Sequence, residues 1–306
     1  MIAAVRALFA GVSMVARAPL LLVSLSVVTF IAALPFGLVL GERLRTALAH
    51  QPAIDLKAEE IDPEWWMEFR AHARGLEATF TPTVLGFAAP LDNLSALLDA
   101  SPRPLVLAGP VLLYGVLWAF LLGGVLERFN QGGGIGLRGF CAAGLRRWPR
   151  FLLIGIAAGS MSWLLFLTVH AWLFGPVYEW LAANASSERN AFFWRVALYL
   201  AFGALLMIVT LVADYTRVSV VSAGAATLGD AVESSVRFIR RHLTAVVALY
   251  LLTGVLFTSL LVAYGLVDRR FGGWRAVVVG QAYIVARLAI RLTFAASELR
   301  LFKRAA

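Results

Sequence analysis

Arg287 and Arg291 stand four residues apart in the last long apolar stretch of the chain, Ala276–Ala296. That spacing puts both guanidinium groups on one helix face, with Gly280, Tyr283 and Glu298 on or near it. An arginine at bilayer depth costs about 2.5–3.5 kcal/mol on insertion scales, so it faces protein or water and seeks a counter-charge. Counted from Ala276 at about 1.5 Å per residue, Arg287 lies about 16 Å in and Arg291 about 22 Å in. Near the depth of Arg291 stand Glu127, ending the second apolar run, and Asp214, ending the fourth. Asp214 also has Arg217 three residues on. Two chemistries fit these five residues: an ionic cluster that locks helices together, or a site for an anion or lipid headgroup. Depth matching predicts that Arg291 pairs with Asp214 or Glu127.

Other patterns carry less. Gly134-Ile135-Gly136-Leu137-Arg138-Gly139 fits G-x-G-x-x-G literally. The dinucleotide fingerprint needs a preceding strand, whereas a membrane helix precedes it here, so the segment reads as a turn. Glu64, Glu68 and His72 fall at i, i+4 and i+8, a spacing that can hold a metal but more often marks a solvated face. The single cysteine, Cys141, rules out an intrachain disulfide and a Cys-based metal site; it reads as a small packing residue at the membrane edge. No Ser-His-Asp order or Cys-His pair is recognisable. The sequence therefore predicts no enzyme, no cofactor and no metal.

The elements that must position the charges are membrane helices. Hydrophobic residues make up 60% of the chain and charged residues 15%, against about 25% charged in soluble domains; the mean hydropathy is +0.81. Six stretches reach the roughly 20 residues needed to cross a core of about 30 Å: 19–40, 105–126, 151–174, 193–213, 243–267 and 276–296. The first is too long for a cleavable signal. Segments 1–18, 127–150, 214–242 and 297–306 hold 14 Lys/Arg and 5 Asp/Glu, against 10 and 13 in 41–104, 175–192 and 268–275. By the positive-inside rule both termini are cytoplasmic. The outward triplet Arg269, Arg270 and Arg275 runs against that count. The net charge of +9 follows topology, which excludes nucleic acid as the partner. Predominance of Arg over Lys points to a GC-rich bacterium and its inner membrane.

The chain reads as one membrane domain, 1–306, of three repeated units, each an interfacial helix plus a transmembrane hairpin. Val5-Arg6-Ala7-Leu8-Phe9, Leu137-Arg138-Gly139-Phe140 and Ala231-Val232-Glu233-Ser234-Ser235-Val236 are the amphipathic stretches. They lead to Arg17-Ala18-Pro19, Arg147-Trp148-Pro149 and Arg241-His242-Leu243, each just before a span. In these units the chain resembles a bacterial superfamily containing the membrane half of membrane-anchored glycerophosphodiester phosphodiesterases and several six-span families. The resemblance is one of architecture over most of the chain. It implies a six-span α-helical fold; Leu243 departs from the proline of the other two units. The 306 residues leave no room for the soluble phosphodiesterase domain, so the resemblance implies no catalytic residue.

Residues 41–104 form an insertion between spans one and two, read as an ordered extracytoplasmic loop. Asp62-Pro63-Glu64 is a helix start, with a capping Asp and Pro at the first helical position. Trp65 and Trp66 suit a membrane interface. Phe80–Pro90 is apolar, too short to span and broken by Pro and Gly; Leu91, Leu94, Leu97 and Leu98 then recur at helical spacing. Small residues in the spans (Gly123 and Gly124, Gly155 and Gly159, Gly203 and Ala204) predict close helix approach, and Pro110 predicts a kink. Together these features predict a non-enzymatic inner-membrane component that assembles with lipids, a membrane-protein partner or further copies of itself. A transporter or flippase of an anionic amphiphile, using the Arg287/Arg291 face, is the alternative.

Overall fold

The computed structural model describes residues 1–48, 63–81, 84, 86–222, 224, 227–268 and 273–305, with side chains left out at 47, 48, 63–65 and 305. The Asp62 cap, Pro82, Thr83, Leu85, Arg269 and Arg270 lie outside the described residues, as do the side chains of Glu64 and Trp65. Among the described residues the elements are helices, with no strand. They are α1 (Ile2–Ala16), α2 (Pro19–Leu48), α3 (Pro63–His72), α4 (Ala88–Leu98), α5 (Ala108–Asn130), α6 (Leu137–Leu165), α7 (Tyr178–Ala183), α8 (Glu188–Ser222), α9 (Leu228–Arg241), α10 (Leu243–Asp268) and α11 (Trp274–Ala305). Six stretches are long and apolar enough to cross a membrane: Pro19–Thr46, Leu105–Asn130, Leu137–Ala183, Glu188–Ser222, Leu243–Asp268 and Trp274–Arg304. The chain is an all-α integral membrane protein with six such helices among the described residues.

Two compact units form, one of Met1–Ala18, Leu117–Gly254 and Arg291–Ala306, the other of Pro19–Val116 and Val255–Ile290. In the first unit, α1 turns Ala4, Ala7, Gly11 and Val15 inward, a three- and four-residue spacing that makes one helix face. A methyl group on Gly11 would collide with Ser297 Oγ and sit 2.5 Å from the Thr293 carbonyl oxygen, so α1 lies directly on the backbone of α11. Helices α5 and α6 meet in the same way. A Cβ on Gly123 would lie 3.1 Å from Gly144 Cα, and one on Gly124 would enter the Phe140 ring. An added Cβ would meet nothing within 4 Å at Gly159 or Gly203, and only the Arg217 side chain, at 3.9 Å, at Gly155.

Three expectations about single residues and elements need correction. Pro110 lies in the first turn of α5, where its nitrogen has no intrahelical bond to lose, so it starts the helix without kinking it. Cys141 is exposed; its neighbour Phe140 takes the inward position against Gly124. Helix α6 runs unbroken through Pro149, so its amphipathic start and its span are one rod, unlike α1/α2 and α9/α10. Helix α9 begins with a capping box in which Thr227 Oγ1 accepts from Asp230 N–H and Asp230 accepts from Thr227 N–H. Its buried face (Ala231, Ser235, Phe238 and Ile239) packs on protein: Phe238 lies 5.0 Å from Tyr215 and 4.7 Å from Phe302, ring centre to ring centre.

Spans three and four close over a separate apolar cluster. Two π-helical segments, Phe166–His170 and Leu173–Val177, interrupt the run after α6. They deliver His170 between Phe174 at 4.4 Å and Phe202 at 5.0 Å.

The second unit contains the described part of the 41–104 insertion. Trp66, Phe69 and Phe80 pack ring against ring at 5.7–6.2 Å. Leu91, Leu94 and Leu97 are exposed on α4. Asp268, ending α10, accepts a hydrogen bond from Phe87 N–H at 3.0 Å and so caps the start of α4. The Phe87 ring lies on Gly265, where a Cβ would come within 2.7 Å of it. Gly86 holds a positive φ of 53° directly beneath the Asp268 carboxylate. Asp268→Ala is therefore expected to release α4: limited proteolysis of the purified protein should cut within 84–100 several-fold faster than in wild type. Unchanged cutting would show that the Phe87 contact alone holds the segment.

Candidate functional site

The buried charges of the first unit form two separate knots. In the first, Glu127 near the end of α5 accepts from Arg147 Nη2 of α6 at 2.7 Å and from Gln131 Nε2, one turn on, at 2.6 Å. Glu127 is 8% exposed and the Arg147 side chain 11%, so water screens the pair little. Arg146 stands 4.0 Å from the same carboxylate but remains on the surface. Arg147 Nη1 is buried without a partner, so this knot is imperfectly satisfied.

The second knot joins α8, α10 and α11. Arg217 donates to Asp214 Oδ1 at 2.6 Å across one turn of α8. The Tyr250 hydroxyl of α10 lies 2.9 Å from Asp214 Oδ2 and 3.0 Å from Glu298 Oε1 of α11. Phe294, one turn before Glu298, holds the Tyr250 ring edge-on at 4.7 Å. A phenol carries one hydrogen. It satisfies one carboxyl group, and the contact with the other needs a second hydrogen held among the three. The knot is thus a hydrogen-bonded chain from Arg217 through Asp214 and Tyr250 to Glu298, which is 4% exposed.

Arg291 meets an aromatic ring. Its guanidinium lies 3.7 Å from the centre of the Trp118 ring, a cation–π contact. The two acids expected beside Arg291 each hold another cation: Asp214 holds Arg217 on its own helix, and Glu127 holds Arg147 of α6. Arg287 is exposed. Of the residues grouped from the sequence, Asp214 holds Arg217, Glu127 holds Arg147, and Arg291 lies on the Trp118 ring.

No family model, curated protein or solved structure matches the chain. Arg147, Tyr250, Gln131 and Trp118 were not identified as partners from the sequence. Arg147 was visible only as a membrane-edge arginine, and Tyr250 and Trp118 sit in apolar runs that gave no polar signal. Chemically, the two knots join five helices through polar groups removed from water. Pairs of that kind stabilise only while both partners are present. Among the described residues, no group of three or more His, Cys, Asp or Glu converges as a metal site would require.

Proposed function

We propose that this chain is a non-enzymatic component of a bacterial inner membrane, with both termini cytoplasmic, that assembles with a membrane-protein partner or with lipids. The observation that carries this reading is the use of the interior charge. Glu127, Asp214 and Glu298 are each bound by side chains of the same bundle, which fits charges that fix helix packing better than charges that pass a ligand along. The exposed apolar side chains that cover its helices are the surface offered to lipid and to partners. The resemblance to the membrane half of membrane-anchored phosphodiesterases is consistent with a part that acts by holding something at the membrane.

Extraction of the native membrane into polymer-bounded discs, followed by mass measurement, tests this. The expected particle contains more protein than one 33.2 kDa chain. Reconstituted alone, the protein should leave a fluorescent anionic phospholipid on its original leaflet. Transbilayer movement of that lipid, lost in Arg291→Ala, would replace this reading with the flippase one.

A further inference from the structure

Arg287 is exposed, and among the described residues it makes no ion pair or hydrogen bond. It lies in the middle of a membrane helix. With the hydrocarbon core entered at Ala276, just after the interfacial Trp274, Arg287 stands about 16 Å into a core of about 30 Å. One turn earlier Ile284 is 48% exposed, and further up α11 Val277 and Val278 are exposed as well. A full positive charge thus sits at an exposed position of a mostly apolar membrane helix, one turn from exposed Ile284.

Such a charge recruits a carboxylate, a phosphate or water. From mid-core both headgroup layers are about 15 Å away, and the three-methylene stem of arginine falls short of them. That argues against a headgroup as the resting partner. A second copy of this chain fits poorly too. Its described intramembrane acids, Glu127, Asp214 and Glu298, are each engaged inside their own bundle. The geometry points to a transmembrane helix of a different protein, carrying an aspartate or glutamate at mid-membrane, that docks on the Ile284–Arg287 face of α11. This rests on the assembly reading above and names the chemistry of the partner.

The probes are three labelled polyleucine transmembrane helices: one with a central aspartate, one all-leucine, and one with aspartate a single turn from its end. Energy transfer in phosphatidylcholine vesicles reads their association with the donor-labelled protein. The central-aspartate helix is expected to bind wild type about tenfold tighter than the other two. Arg287→Leu should remove that preference, and Ile284→Trp should weaken it while leaving the charge in place; both positions are exposed, and helical content by circular dichroism checks folding. Equal binding of all three helices by a folded wild type overturns the proposal, as does a preference that survives Arg287→Leu. A preference abolished by adding phosphatidylglycerol overturns it in favour of a lipid phosphate. If no preference appears while the native particle still contains a second protein, this proposal fails and the assembly reading stands. A preference in a protein whose native particle is a lone chain supports the docking face and removes the protein-partner form of the assembly reading.

Discussion

Glu127→Ala should lower the stability of the protein by about 3–5 kcal/mol, the cost of leaving one member of a buried pair without the other. Arg147 would keep a charge that is almost fully removed from solvent, and Gln131 would lose its acceptor. The same argument gives Arg147→Ala a loss of similar size. Combining the two should cost less than their sum, because the second change removes the stranded charge left by the first. Denaturation in mixed micelles, followed by circular dichroism for the two single variants and the double, measures the coupling. Strictly additive losses would mean that the 2.7 Å contact does not hold α5 to α6.

The second large effect belongs to a residue with no side chain. Replacing glycine by alanine inside a helix ordinarily favours the helix by about 1 kcal/mol. Gly11→Ala should do the opposite, since its methyl group would meet Ser297 Oγ and the Thr293 carbonyl oxygen. The carbonyl is backbone and does not swing aside, so α1 must lift from α11. Overpacking of this kind costs about 1–3 kcal/mol. The hydrogen bond that Arg300 Nε gives to Met14 Sδ, on the next turn of α1, should be lost with it. Gly37→Ala in α2, where nothing lies within 4 Å of the added atom, is the matched control. Thermal unfolding of both variants decides the matter; a Gly11→Ala protein as stable as the control would refute the close helix contact.

The six spans were legible because length and apolarity are properties of a single segment. Each of the six predicted stretches falls inside one of the membrane-long helices of the structure. Pairing of charges was not legible, and Arg291 shows why. Depth along a helix can be counted from the sequence, but rotation about the axis and the identity of the facing helix cannot. Asp214 and Arg291 stand at similar depths, yet Asp214 is closed off by Arg217 and by a tyrosine 36 residues later. Trp118 supplied the partner of Arg291 through its ring face, which charge matching does not count. Proline misled for a related reason. Pro110 kinks nothing because α5 starts just before it, where a proline has no intrahelical bond to break.

The Asp214–Arg217 pair also bears on how the chain is made. Asp214 emerges from the ribosome 36 residues before Tyr250, and Tyr250 a further 48 before Glu298. Helix α8 must therefore wait beside the translocation channel while two later helices are still being synthesised. During that interval its aspartate has no tyrosine to hold. It does have an arginine three residues along the same rod, so that end of α8 enters the membrane with its aspartate already balanced. Glu298 has no such companion within a turn in its knot, and its carboxyl group is shielded only once the last helix docks. The knot thus closes in the order of translation, and completing it is the last step in building the bundle.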